Sequence, residues 1–264
     1  MRRPSAARIF LCLGFFQTWV INAQMTAGLS ELPHAAGLGR IVPLDWMLTT
    51  PGWLLFSAFY LGSMVAFAAR WREDQAGWLL MGLTAIEVGV EMSVRRIFMP
   101  HLEAMLSGGL LLSWLLARAW GRRRALEGEA LDALGHEVVA GTFGAMMTLA
   151  ACSKLWLSGL LWLDGPTHCA TVYEHELLNP GSPWSPIRRV MVSWSWLCAL
   201  GAGGALVIEL AGVAMIWPEL RKVYAVAVVW LFLSLSVFYG IEELSWVTMA
   251  CALAWSRLGE PRRG

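Results

Sequence analysis

Apolar residues in this chain come in long, nearly unbroken runs separated by short polar connections. An α-helix needs about 20 mostly apolar residues to cross a hydrocarbon core. Runs of that kind fall at 8–27, 52–70, 76–94, 104–120, 138–160, 190–216 and 223–256. The last is too long for one crossing: at about 1.5 Å per residue it would reach about 51 Å, against a core of about 30 Å. Glu242 and Glu243 stand near its middle. The run is therefore expected to break there into a full span and a shorter piece, which leaves open whether 244–256 is an eighth span. The pattern predicts an all-α polytopic membrane bundle of seven to eight helices, with 1–264 as a single membrane domain.

Composition sharpens this picture. The chain is 57% hydrophobic and only 15% charged, whereas a soluble domain carries about a quarter charged residues. Many of its 16 tryptophans sit at the ends of apolar runs, where interfacial belts form. Arg2, Arg3 and Arg8 precede "IFLCLGFFQTWVINAQ", which resembles an export signal. Ile21 occupies a position where cleavage wants a small residue, so an uncleaved first span is expected.

Lys and Arg give the orientation. If the spans alternate, the N-terminal arginines, Arg70, Arg72, Arg118, Arg122, Arg123, Arg124, Arg221 and Lys222 share one face. Arg95 and Arg96 are the exception. This predicts a multi-pass protein of the cell (inner) membrane with a cytoplasmic N-terminus and the 161–189 loop outward. Within that loop, 166–178 fits a short interfacial helix, and Pro180, Pro183 and Pro186 forbid a continuous one. The five cysteines have no C-x-x-C spacing and are odd in number. They are expected as small apolar residues, not as disulfide partners or zinc ligands.

Lys154 is the leading chemical candidate. It lies near the outer end of the fifth run, in "SKLWLSGLLWLDG". A lysine there can snorkel to water along its own stem. Held in a dry pocket, it would instead favour its neutral form and act as a general base. Trp156 and Trp162 supply either a belt or the pocket wall. Glu87, Glu91 and Arg95 follow at i, i+4 and i+8, one stripe of a helix. A mid-membrane carboxylate is costly, so Glu87 should face the bundle interior. Either Glu91 pairs with Arg95, or one of the two glutamates approaches Lys154 and keeps it charged. Glu209 lies well inside the sixth run, and serves helix packing or a polar wall. Asp164 and Gly165 read as a turn or cap. His168 and His175, seven apart, share one face if helical, and no standard metal spacing is present. No glycine loop for phosphate, no nucleophile elbow and no basic-aromatic surface for nucleic acid occurs.

The run "ACSKLWLSGLLWLDG" resembles the signature of the horizontally transferred transmembrane (HTTM) domain family, which includes the vitamin K-dependent gamma-carboxylases. Lys154, Leu155, Trp162 and Gly165 take its Lys-Leu, Trp and Gly places. Downstream, "ALVIELAGVAMIWPELRKV" resembles the family's next landmark, through Glu209, Pro218 and Arg221. The resemblance covers about 136–240. It implies Lys154 as the base toward a reduced, vitamin K-like quinone, with Trp156, Trp162 and Glu209 around the ring. Asp164, Gly165, His168, His175, Glu87, Glu91 and Arg221 remain as structural or substrate-contact residues. No counterpart of the carboxylases' large lumenal domain is expected from this sequence. "VVWLFLSLSVF" also stands where the family often has a histidine. Glutamate carboxylation by this chain alone is not expected.

Three readings follow. One is a quinone-linked membrane enzyme, acting with a separately encoded protein or exported peptide. Another is a non-catalytic membrane protein that binds or protects against such a partner. The third is a small-solute or proton carrier lined by Glu87, Glu91 and Glu209. All three work within the lipid bilayer and none involves nucleic acid.

Overall fold

The computed structural model describes residues 6–33, 37–94, 102–240 and 244–255. Among them are ten α-helices and no strand: α1 (Ala6–Thr26), α2 (Thr50–Ala68), α3 (Glu73–Val94), α4 (Leu102–Arg123), α5 (Gly128–Ser158), α6 (Gly165–Leu178), α7 (Ser185–Val192), α8 (Ser195–Leu210), α9 (Pro218–Tyr239) and α10 (Leu244–Trp255). The all-α bundle expected from the apolar runs is what forms. In hydrocarbon a backbone must satisfy its own hydrogen bonds, which a helix does internally.

Among the described residues, five stretches are long and apolar enough to cross a membrane: α2, α3, α8 with the 3-10 turn Ala211–Ile216, α9, and α5 with the turn Gly159–Leu163. Only 28% of the most apolar window is buried in α8 and in α9. Such wide exposed apolar faces suit lipid, not water. α1 and α4 span 21 and 22 residues but are not among the five. The long final run does break. α9 ends at Gly240, whose left-handed φ of 65° suits glycine, and α10 has 12 residues, about 18 Å. Glu242, Glu243, Arg95 and Arg96 lie outside the described residues.

The chain divides into two compact units, Met1–Val139 with Ser256–Gly264, and Ala140–Trp255. In the first, α1 packs against α2, α3 and α4, and α3 against α2 and α4. Their polar ends carry a charge network. Asp132 Oδ1 accepts from Arg118 at 2.7 Å and Arg8 at 3.2 Å, and its Oδ2 accepts from Arg70 at 2.8 Å. Glu73 pairs with Arg8 at 2.6 Å and Arg118 at 3.2 Å. The Arg8 guanidinium also stacks 4.9 Å from the Trp114 ring. Arg8 and Arg118 can be buried here, and Arg70 half-buried, because the carboxylates between them supply acceptors and opposite charge.

In the second unit, α6 packs on α7, α8 and α9, and α9 on α10. α5 approaches the turn after α8 with almost no space between backbones: a Cβ on Gly144 would strike the Gly212 carbonyl, and one on Gly212 would strike that of Gly144. Only glycine at both positions permits this approach. Thr148 Oγ1 then donates to the Leu210 carbonyl at 3.4 Å, which fixes the stretch leading to Lys154 beside the one carrying Glu209.

One expectation is corrected. Cys169 of α6 and Cys198 of α8 form a disulfide, with Cα atoms 5.6 Å apart. The pairing depends on two helices meeting, which neither the cysteine count nor the 29-residue separation discloses. Cys12, Cys152 and Cys251 are free.

Candidate functional site

Lys154 stands four residues before the end of α5. A lysine side chain on a helix leans back toward the N-terminus, and here it meets Glu209 of α8. The two form an ion pair in which Lys154 Nζ donates to Glu209 Oε1. The lysine side chain keeps 26% exposure and the carboxylate 9%. The Trp162 ring centroid lies 5.0 Å from the ammonium, within cation–π range. Trp162 therefore lies against the ammonium, while Trp156 is 89% exposed.

Beyond Trp162 the site continues through His168. Its Nε2 lies 2.6 Å from the Trp162 carbonyl oxygen, which can only accept, so this nitrogen carries the proton. In the neutral ring Nδ1 then accepts from the Tyr239 hydroxyl, at 3.2 Å. The His168 ring meets Trp162 and Tyr239 edge-on, with centroids 5.3 and 6.1 Å apart. Asp164 caps α6 as expected: its carboxylate accepts from the Thr167 N–H at 3.0 Å. The Thr167 hydroxyl and N–H hold the Asp164 carboxyl below the usual carboxylate range. A Cβ on Gly165 would strike the Ser195 carbonyl, so the cap sits directly against the start of α8.

Three buried polar atoms at this site lack a hydrogen-bond partner: Glu209 Oε2, Trp162 Nε1 and the hydroxyl of Tyr224, a residue of α9 within electrostatic reach of Glu209. Buried groups of this kind are rare unless they serve chemistry or hold a ligand. Tyr224 and Tyr239 carry no sequence signal beyond being two of four tyrosines, both in α9. Arg221 is buried and donates through Nε to the Met215 carbonyl at 2.8 Å, bracing the turn between α8 and α9.

His175 belongs to a different part of the loop. Its ring lies where a Cβ on Gly240 would be, and Asn179 Nδ2 approaches its Nδ1 at 3.3 Å. Burial, and after it the charge of Arg188, pushes His175 below the ordinary imidazole range. Glu176 next to it accepts from Ser185 at 2.8 Å and Arg189 at 3.2 Å. Glu87 and Glu91 are buried in α3 of the first unit, 1% and 3% exposed, and the partner of Lys154 is Glu209. The Arg95 expected beside Glu91 lies outside the described residues. Among the described residues no three His, Cys, Asp or Glu side chains are grouped to hold a metal.

Compared with protein-family models, with curated proteins and with solved structures, the chain matches none.

Proposed function

We propose that this is a membrane enzyme in which the Lys154–Glu209 pair takes a proton from a reduced, lipid-soluble quinone. The carrying observation is the pair itself, half-dry, walled by Trp162, with one carboxylate oxygen unused. An ammonium beside a carboxylate is held charged in water. Once a bound ring covers the pair and excludes water, loss of hydration penalises both charges, so that a proton can pass from Lys154 Nζ to Glu209 and leave a neutral amine. That amine accepts the next proton, and Glu209 Oε2 is the acceptor through which the first can leave. The site fits an aromatic ring bearing hydroxyls: Trp162 offers a flat face and an unpaired N–H, and Tyr224 an unpaired hydroxyl. A hydroquinone supplies an acidic hydroxyl and two electrons. The resemblance to the HTTM family through Lys154, Leu155, Trp162 and Gly165 supports the same reading.

The N-terminus is proposed to be cytoplasmic and the 161–189 loop outward, in the cell (inner) membrane. The arginine-rich connections favour this, as does the Cys169–Cys198 disulfide, whose Cys169 lies in that loop, since such bonds persist in oxidising compartments.

The test is oxygen consumption by the purified protein with a reduced naphthoquinone, in wild type and Lys154→Ala. Uptake is expected in wild type and lost in the variant. No uptake by wild type across several quinones sinks a self-contained quinone enzyme, and leaves binding of a separately encoded partner as the better reading.

A further inference from the structure

The first unit holds a second polar centre that the Lys154 site does not use. Glu87, in the middle of α3, is 1% exposed, and neither of its carboxylate oxygens has a well-aligned hydrogen-bond partner. Asn22 of α1, also 1% exposed, faces this carboxyl, and its amide nitrogen and oxygen likewise lack an aligned partner. Tyr60 of α2, fully buried, lies within reach of the same carboxyl, but its hydroxyl donates to the Phe15 carbonyl at 3.3 Å. Three different helices, packed on one another, thus bring a carboxyl, an amide and a phenol to one point, where Asn22 and Tyr60 lie close enough to interact with Glu87 without a well-aligned hydrogen bond. Among the described residues, the titratable groups facing Glu87 are Tyr60 from α2 and Glu91 from α3 itself; α1 contributes the neutral Asn22. Thr84, one turn before, donates to its own helix through the Leu80 carbonyl at 2.8 Å.

An ionised carboxylate inside a membrane bundle has to be balanced by a cation or a proton. Asn22 also brings a buried amide oxygen with no aligned partner, and hard cations take oxygen ligands without needing His or Cys. We propose that Glu87 and Asn22 form an intramembrane binding site for one small monovalent cation, sodium, for which a proton competes. Sodium bound there neutralises Glu87 and uses the Asn22 oxygen. When the proton wins, the carboxyl becomes a neutral donor to that same oxygen. No covalent bond other than O–H changes. This site goes beyond the quinone reading and does not depend on it.

The experiment is thermal unfolding of the purified full-length protein in detergent, in sodium chloride against choline chloride at equal ionic strength. Above neutrality, sodium is expected to raise the midpoint by several degrees in a saturable way, because a ligand that binds only the folded state stabilises it. Well below neutrality the sodium effect should fade as protons occupy Glu87. Glu87→Gln mimics the protonated acid and should fold but lose the sodium effect entirely. Asn22→Ala should weaken sodium by about tenfold, the loss of one ligand. Equal midpoints in the two salts overturn the site, and so does a sodium effect that survives in Glu87→Gln. Should that variant not fold, carbodiimide labelling of Glu87 in wild type, read by peptide mass spectrometry, decides. Suppression by sodium but not choline supports the site, and labelling indifferent to sodium overturns it.

Discussion

Each unit buries charge, but they do so differently. At the polar end of the first, both oxygens of Asp132 are engaged, by three arginines brought from α1, the α2–α3 turn and α4. In the second, Lys154 meets Glu209 alone, one carboxylate oxygen is unused, and Trp162 covers the ammonium instead of a second acid. A carboxylate with all its acceptor sites filled has little freedom to take up or release a proton. One with an idle oxygen, beside an amine, keeps that freedom. The first arrangement holds helices together, and the second leaves an acceptor open, as the proposed proton transfer requires.

The largest effect should come from Asp132→Ala. It strips Arg8, Arg70 and Arg118 of a shared acceptor, and removing one partner of a buried ion pair costs about 3–5 kcal/mol. Chemical unfolding in detergent reads it, and a loss near zero would mean the network is not structural. Next is Cys198→Ser, expected to cost about 2–4 kcal/mol by releasing the α6–α8 tie. Thiol labelling of the denatured wild-type protein should find three free cysteines before reduction and five after.

A smaller value is expected for the coupling between Lys154→Ala and Glu209→Ala in a double-mutant cycle, about 0.5–3 kcal/mol, because Lys154 retains contact with its surroundings. A coupling as large as the Asp132 loss would erase the contrast between the two regions. The smallest concerns Glu176. Burial pushes its carboxyl up, but Ser185, Arg189 and Arg188 together hold it below the ordinary carboxylate range. A depressed carboxylate stabilises the fold above its unfolded value of about 4.3 and loses that contribution as pH falls through the folded one. Glu176→Gln should therefore melt earlier than wild type at neutral pH, and the two should converge in acid.

Much of the architecture was legible along the chain. The break after α9 followed from a run too long for one span, the α6 helix from its place between Asp164 and the prolines, and the interior placement of Glu87 from the cost of a charge in hydrocarbon. The site was legible in part. Lys154 and Trp162 were visible as an ammonium and an indole near a helix end, and Glu209 as an acid within a span. The family resemblance put them around one ring, but the direct ion pair was not legible, since 55 residues separate the lysine from its partner.

What the sequence determined by itself is what depends on neighbours along one chain segment. Apolar length sets the helices, proline and glycine their ends, and the Asp164–Thr167 spacing a cap. What only the tertiary structure decided is which side chains from different helices touch: Lys154 with Glu209, Cys169 with Cys198, Asn22 with Glu87, His168 with Tyr239. Helix formation is local and repeats every few residues. The contacts between helices turn on crossings such as that of Gly144 and Gly212, where a single added methyl group would close the approach.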